Sequence, residues 1–422
     1  MNKRIVLLMP FLLVLIGFIA FHQIDPGHAS PNITFAVNST ADDVDDNPGD
    51  GACHTATGVC TLRAAIQEAN ALAGADTINL GEGTYLLTLT GNGENLSATG
   101  DLDITADLAI YGAGAAATFI DGNGSTLNDR VIDIRVSVPK PVVYFSGVTI
   151  RNGNLPTGQN GGGGIANRGN LTLEYVNLTS NRVNGTGDTD VGGGISPGGL
   201  GGAFLHISHS TIEHNSANYG GGLFSNATLW ITDTLVYSNT AHDGGGIYNY
   251  GNATLTNITL SGNHATSVAG GMINEGTLTI LNSTVANNSG SGGGIRNNTS
   301  KTINLTQSII ASNTFPNCTL NSPITSGGHN LDDGNSCGLS GSDDITNTLA
   351  SLLPLANNGG PTWTHALPAN SPAVDWVDSG LCPKTDQRGF RRPLDGNGDG
   401  IAFCDIGAFE RGLPVYLPLI RR

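Results

Sequence analysis

The stretch Gly244-Gly245-Gly246-Ile247, followed by Thr254-Leu255-Thr256-Asn257-Ile258-Thr259-Leu260 and closed by Asn263, decides the fold. Around residue 254 apolar side chains recur at every second position, the mark of a strand with one buried face, and that period excludes helix. The same pattern returns along the chain. Glycine triplets begin at Gly162, Gly192, Gly220, Gly244 and Gly292, followed by Ile165, Ile195, Leu223, Ile247 and Ile295, with a degenerate copy at Gly270-Gly271-Met272. Downstream of each comes an Asn, at Asn181, Asn215, Asn239, Asn263, Asn288 and Asn313, and the last four intervals are 24 or 25 residues.

A fixed period of this length decides the architecture. Each unit holds a short strand at the triplet, two more after it and tight corners, enough to close one turn of a parallel coil. Stacked turns satisfy one another's backbone groups and pile the inward Ile, Leu and Val into one apolar column. The expectation is an all-β chain: a right-handed parallel β-helix, a single-stranded solenoid of about ten turns and ~50 Å. The recurrent Asn is expected at one corner, in the left-handed conformation, with its amides forming a ladder along the axis. The glycines serve corners where a Cβ does not fit. Leu102-Asp103-Ile104 through Ile110, and Val142 through Asn152, read as irregular turns of the same coil. Open ends must be covered. Leu62, Ala65, Ile66, Ala69 and Leu72 recur at helical spacing, with Thr61 placed to cap and Gly74 to stop, and predict a short amino-terminal capping helix.

Composition removes competing classes. The 422 residues carry a net charge of −16, only 12% are charged, and 61 are Gly. Coiled coils and charge-rich disordered chains need more charge, and 18 basic against 34 acidic residues argue against a nucleic-acid partner. Lys3 and Arg4, the apolar run Ile5 to Phe21 and the closing Gly27-His28-Ala29 predict a secretory signal peptide over 1–29, with an uncleaved anchor as the alternative. No second segment is long enough to span a bilayer, and a monomer is expected. Six cysteines fall into the close pairs Cys53 and Cys60, Cys318 and Cys337, Cys382 and Cys404, although six allow fifteen connectivities. Local pairing is the simplest arrangement, and it suits an oxidising compartment.

Two stretches resemble known domains. Cys60-Thr61-Leu62-Arg63-Ala64-Ala65-Ile66 with Glu68-Ala69-Asn70 resembles the CSLREA domain, departing from it at Ala64. Residues 327–410 resemble the choice-of-anchor Q domain through Asn357-Asn358-Gly359-Gly360-Pro361-Thr362, Ser371-Pro372-Ala373-Val374-Asp375, Thr385-Asp386-Gln387-Arg388-Gly389, Arg392-Pro393 and Asp405-Ile406-Gly407-Ala408-Phe409-Glu410. The middle is similar to pectin-lyase-like β-helix repeats and to those of polymorphic outer-membrane proteins. These resemblances imply an exported, surface-associated bacterial protein and assign no reaction. The organisation expected is a signal peptide at 1–29, a CSLREA-like cap at 30–77, β-helix repeats at 78–326, a choice-of-anchor Q-like, disulfide-bearing cap at 327–410 and an apolar-basic tail at 411–422.

Site candidates are few. Asp395, Asn397, Asp399 and Ile401 have calcium-loop spacing, with Asp405 one position short of the usual closing acid, so calcium is the one cofactor suggested. The acidic run Asp42, Asp43, Asp45, Asp46 and Asp50 is a weaker candidate. His206, His209, His214, His242 and His264 differ in their offsets from the recurrent Asn and are not expected to converge. Tyr219, Phe224, Trp230, Tyr237, Tyr248 and Tyr250 suggest a strip for stacking sugar rings. Within 155–315 the carboxylates Glu174, Asp188, Asp190, Glu213, Asp233, Asp243 and Glu275 occupy different positions of the repeat, so no catalytic residue is assigned. The function expected is a secreted or cell-surface binding protein, adhesive or carbohydrate-binding, with an extracellular polysaccharide or cell-envelope component as partner. The alternative is a polysaccharide lyase or glycoside hydrolase. Two carboxylates, or a carboxylate and an Arg, within reach of each other in one groove would count against binding alone.

Overall fold

The computed structural model describes residues 32–196, 204–314, 316–378 and 380–412. The expected signal peptide and most of the apolar-basic tail lie outside these residues.

The alternating runs form a parallel β-helix of four sheets. The first sheet has 11 strands, from Thr34–Ala36 to Ile324–Ser326, and the second has 11, from Gly83–Leu86 to Ile345–Thr346. The third has 6, from Asn154–Leu155 to Ser289–Ser291, and the fourth 9, from Leu102–Ile104 to Cys318–Leu320. Eleven strands leave ten spacings of ~4.8 Å, so the coil rises about 48 Å. Parallel crossovers of this kind take the right-handed sense. The register carries the buried column from turn to turn. Leu173, Ile207, Ile231, Leu255, Ile280 and Leu305 stand above one another in the first sheet, all with 0% exposure.

The Asn ladder forms. Each amide nitrogen from Asn181 to Asn288 donates to the Oδ1 of the next ladder Asn at 2.9–3.1 Å, and that oxygen also accepts the backbone N–H of the Asn below. One correction applies. The left-handed residue is the one before each Asn: Ser180, His214, Ser238, Gly262, Asn287 and Ser312 have φ between 50° and 62°. The preceding residue turns the corner, which frees the Asn side chain to point inward and bond along the axis. A Cβ on Gly222 would lie 2.8 Å from the Gly246 carbonyl oxygen and 2.9 Å from the Asn239 amide, so the triplet glycine leaves room for the ladder.

The helix spans Leu62–Ala71, with Thr61 accepting from the Ala64 N–H at 3.1 Å. It ends before Gly74, with Leu72 already extended. Leu62, Ala65, Ile66 and Ala69 join the core of the coil and cover its amino-terminal end. Arg63 and Glu68 are buried as well, because residues 42–51 and 97–101 wrap the helix's other side. The three local disulfides form.

The carboxy-terminal region packs beside the coil as well as over its end. Thr259 donates to Gln387 at 2.6 Å, Ser261 meets His365 at 2.9 Å, and Thr284 accepts the Ala408 N–H at 3.1 Å, all on the outer face of the second sheet. A second apolar cluster, with Ile309, Leu331, Leu367, Val377, Ile406 and Phe409, seals that contact.

Candidate functional site

In the fourth sheet Leu102–Ile104 pairs with Ile132–Ile134, so that Asp103 stands directly beneath Asp133. The flanking Leu and Ile side chains face the core, and strand alternation therefore turns both aspartates outward. Asp101 and the pair Asp129-Arg130 enter from the corners that lead into these strands. Arg135 follows the second strand, and Arg168 follows the next one up, Ile165–Asn167. A cleft of about 200 Å³ results, lined by Asp101, Asp129, Asp133 and the three arginines together with Glu94, Asn95, Gln159 and Asn160, while Asp103 lies buried beside Asp101 and Asp133 rather than on the lining.

The cleft is dry for its charge. Asp103 is 0% exposed, Asp133 2%, Asp129 4%, and Asp101 and Arg130 5%. Asp101, Asp103 and Asp133 each offer an oxygen within 4.8 Å of the others. Arg135 donates to Asp133 at 2.8 Å, Arg168 donates to its other oxygen, and Arg130 Nε lies 3.3 Å from Asp101. Arg130 is held in place by the carbonyls of Gly161 at 3.0 Å and Gln159 at 2.9 Å. Within this aspartate cluster two of the buried oxygens left without a hydrogen-bond partner are found, Asp103 Oδ1, which Arg135 Nε approaches only to 3.9 Å, and Asp129 Oδ2; others, such as Asp76 Oδ2 and Asn257 Oδ1, lie elsewhere. Orphaned buried acceptors are rare in folds built only for stability.

The carboxyls respond to burial and to one another. Burial, joined by repulsion from Asp129, Asp103 and Asp133, holds the Asp101 carboxyl well above its ordinary range. Burial pushes Asp103 up to about 7, and Asp129 is also raised by burial. Asp133 is buried too, but Arg130, Arg168 and Arg135 more than offset the desolvation and hold it low. Four carboxylates facing three guanidinium groups can gather a hard divalent cation, which prefers oxygen ligands. The arginines can pair with a carboxylate brought in by a ligand.

The residues singled out in the sequence go elsewhere. Asp395 accepts from the N–H groups of Gly398 at 2.6 Å and Gly400 at 3.0 Å, Asn397 from Asp399 at 2.8 Å, and Asp399 from Ile401 at 2.8 Å. Asp405 is buried away from this exposed turn, accepting from Asp375 and Arg411 within a network that holds Arg392 and Glu410. In the acidic run, Asp42 binds Arg63 at 2.6 Å and Asp45 the His54 N–H at 3.1 Å; Asp45, Asp46 and His54 form the other gathered group among the described residues. The five histidines do not converge: His209 lies 3.6 Å from Asp233, His214 3.6 Å from Glu213, His242 3.4 Å from Asp243, and His264 bonds Ser289. Of the six aromatics, Tyr219, Phe224, Tyr248 and Tyr250 come together, whereas Trp230 packs on Phe204 and Tyr237 on His214.

The aspartate cleft escaped the sequence reading because carboxylates were compared only within the regular repeats. A signal was present. Leu102-Asp103-Ile104 and Ile132-Asp133-Ile134 each set an acid between two inward apolar residues of a strand.

No protein family matches the chain, and no curated protein is significantly similar to it. Among solved structures, the crystal structure of pectate lyase Pel9A is similar at a TM-score of 0.49 and 15% identity, over 91% of this chain and 98% of that one. The parallel β-helix and the charged cleft on its fourth sheet rest on this chain's own strands and side chains.

Proposed function

We propose that the chain is a secreted or cell-surface protein that grips an acidic polysaccharide through a divalent cation, calcium by preference, held by Asp101, Asp103, Asp129 and Asp133. The observation that carries this reading is the gathering of Asp101, Asp103 and Asp133 at a cleft lined by Arg130, Arg135 and Arg168, with two orphaned oxygens, Asp129 Oδ2 on the lining and Asp103 Oδ1 buried beside it. A chain of net charge −16 repels a polyanion, and a bound cation supplies the local positive charge that binding needs. The three disulfides support an oxidising, extracellular setting. The resemblances to the CSLREA and choice-of-anchor Q domains belong with this reading, as an exported cap and a surface-associated wrap on either side of the binding coil.

The convergence of carboxylates with arginines also favours a second reading, cleavage of that polymer by a lyase or glycoside hydrolase. Titrating the protein with a uronic-acid polymer, with calcium and with chelator, tests both. Calcium-dependent binding without new chain ends supports recognition. Unsaturated or reducing ends support cleavage. No binding under either condition overturns the assignment of the cleft.

A further inference from the structure

Higher on the fourth sheet, Phe224 and Tyr248 stand in register on adjacent turns with ring centroids 5.6 Å apart. Tyr250 stacks on Tyr248 at 5.7 Å with an interplanar angle of 10°, and Tyr219 closes the group edge-on to Tyr248 at 5.6 Å. Tyr250 is 53% exposed and the other three are half-buried, so the group is braced from beneath and open above. We propose that Tyr219, Phe224, Tyr248 and Tyr250 form a second carbohydrate site, which takes an uncharged pyranose unit without any cation.

Three observations carry this. The near-parallel pair Tyr248 and Tyr250 offers a flat aromatic surface of the kind on which the C–H face of a sugar ring packs, whereas the Phe204–Trp230 pair on the first sheet meets edge to face at 75°. The rim is polar and mainly acidic: the Tyr219 hydroxyl lies 3.4 Å from Asp188, and Glu275, which Lys301 approaches at 3.8 Å, and Asp243 both act on Tyr248. Carboxylates accept hydrogen bonds from sugar hydroxyls and repel sugar carboxylates, so the rim selects a neutral unit. The site is also distinct from the aspartate cleft. On the outward row Ala166 and Ser196 stand between Asp133 and Phe224, which puts three strand spacings, about 14 Å, between the two places.

This proposal stands apart from the cleft reading and is tested with the cation removed. The full chain is titrated, in chelator, with cello-, manno- and galacto-oligosaccharides by calorimetry. At least one is expected to bind saturably, with Tyr248→Ala and Tyr250→Ala each weakening it by about tenfold or more and Trp230→Ala leaving it unchanged. Tyr250 is exposed, so its variant folds, and a circular dichroism melt confirms that for each protein. The proposal is overturned if no neutral oligosaccharide binds. It is equally overturned if the tyrosine variants lose thermal stability while keeping their affinity, which would make the group packing alone. Neutral binding that persists while acidic-polymer binding fails would sink the cleft and leave this site standing.

Discussion

The upper turns of the coil and its first turns handle buried polarity in opposite ways. Along the corner ladder from Asn181 to Asn313 the polar side chains are neutral amides, each used as donor and acceptor by the turns on either side. Around Asp101 to Asp133 they are charges, some with no hydrogen-bond partner at all. A saturated neutral ladder stabilises a repeat and leaves nothing over for a ligand. An unsaturated charged cluster stabilises little in isolation, and what it lacks is what a ligand can supply.

The contrast can be broken at the ladder first. Asn239→Ala removes the acceptor of the Asn215 N–H and amide and the donor to the Ile212 carbonyl, all buried. Leaving such groups unpaired costs about 1–3 kcal/mol each, so roughly 3 kcal/mol or more of stability should disappear in urea unfolding. Gly222→Ala attacks the same ladder from its neighbour, because the added Cβ would meet the Gly246 oxygen at 2.8 Å; about 2 kcal/mol is expected in the same measurement.

In the first turns the sign reverses. Asp103→Asn keeps an acceptor for the Ser97 N–H and removes a buried charge, so the melting temperature should stay level or rise. Calcium affinity, read by calorimetry, should fall by about tenfold or more, since a charged oxygen ligand is gone. A large loss of stability in this variant would mean that Asp103 serves the fold as the ladder does.

The smallest effect concerns pH. Burial pushes Asp103 and Asp405 up to about 7 and Glu410 up to about 8. The folded chain therefore keeps protons that the unfolded chain, with carboxyls near ~4, releases. This contribution to stability is fully present below about pH 4 and is lost as pH rises through about 7 to 8. Metal-free protein should melt at a lower temperature at about pH 8 than at about pH 5, and Glu410→Gln should flatten that slope.

Legibility in the sequence follows the same division. The coil was readable because each turn repeats the instruction: alternation at Thr254 to Leu260, glycine at the triplet, Asn at the corner. Even there, which residue takes the left-handed backbone was not readable, since Asn and the residue before it are both plausible corner types. The spacing at Asp395 to Asp399 was readable as a turn, and the structure adds that the loop's own N–H groups donate to Asp395 and Asp399.

The sequence by itself determined the period and the inward face, because these depend on neighbours a few residues apart or on one pattern copied many times, whereas the local cysteine pairing was one of fifteen until the structure gave it. Only the tertiary structure decided that Asp101, Asp129 and Asp133 share one cleft with Asp103 buried beside them, and that residues near 365, 387 and 408 lie against the second sheet. Those meetings join segments tens to more than a hundred residues apart that are not copies of one another. Stacking height and register set them, and neither quantity is written in a local stretch of chain.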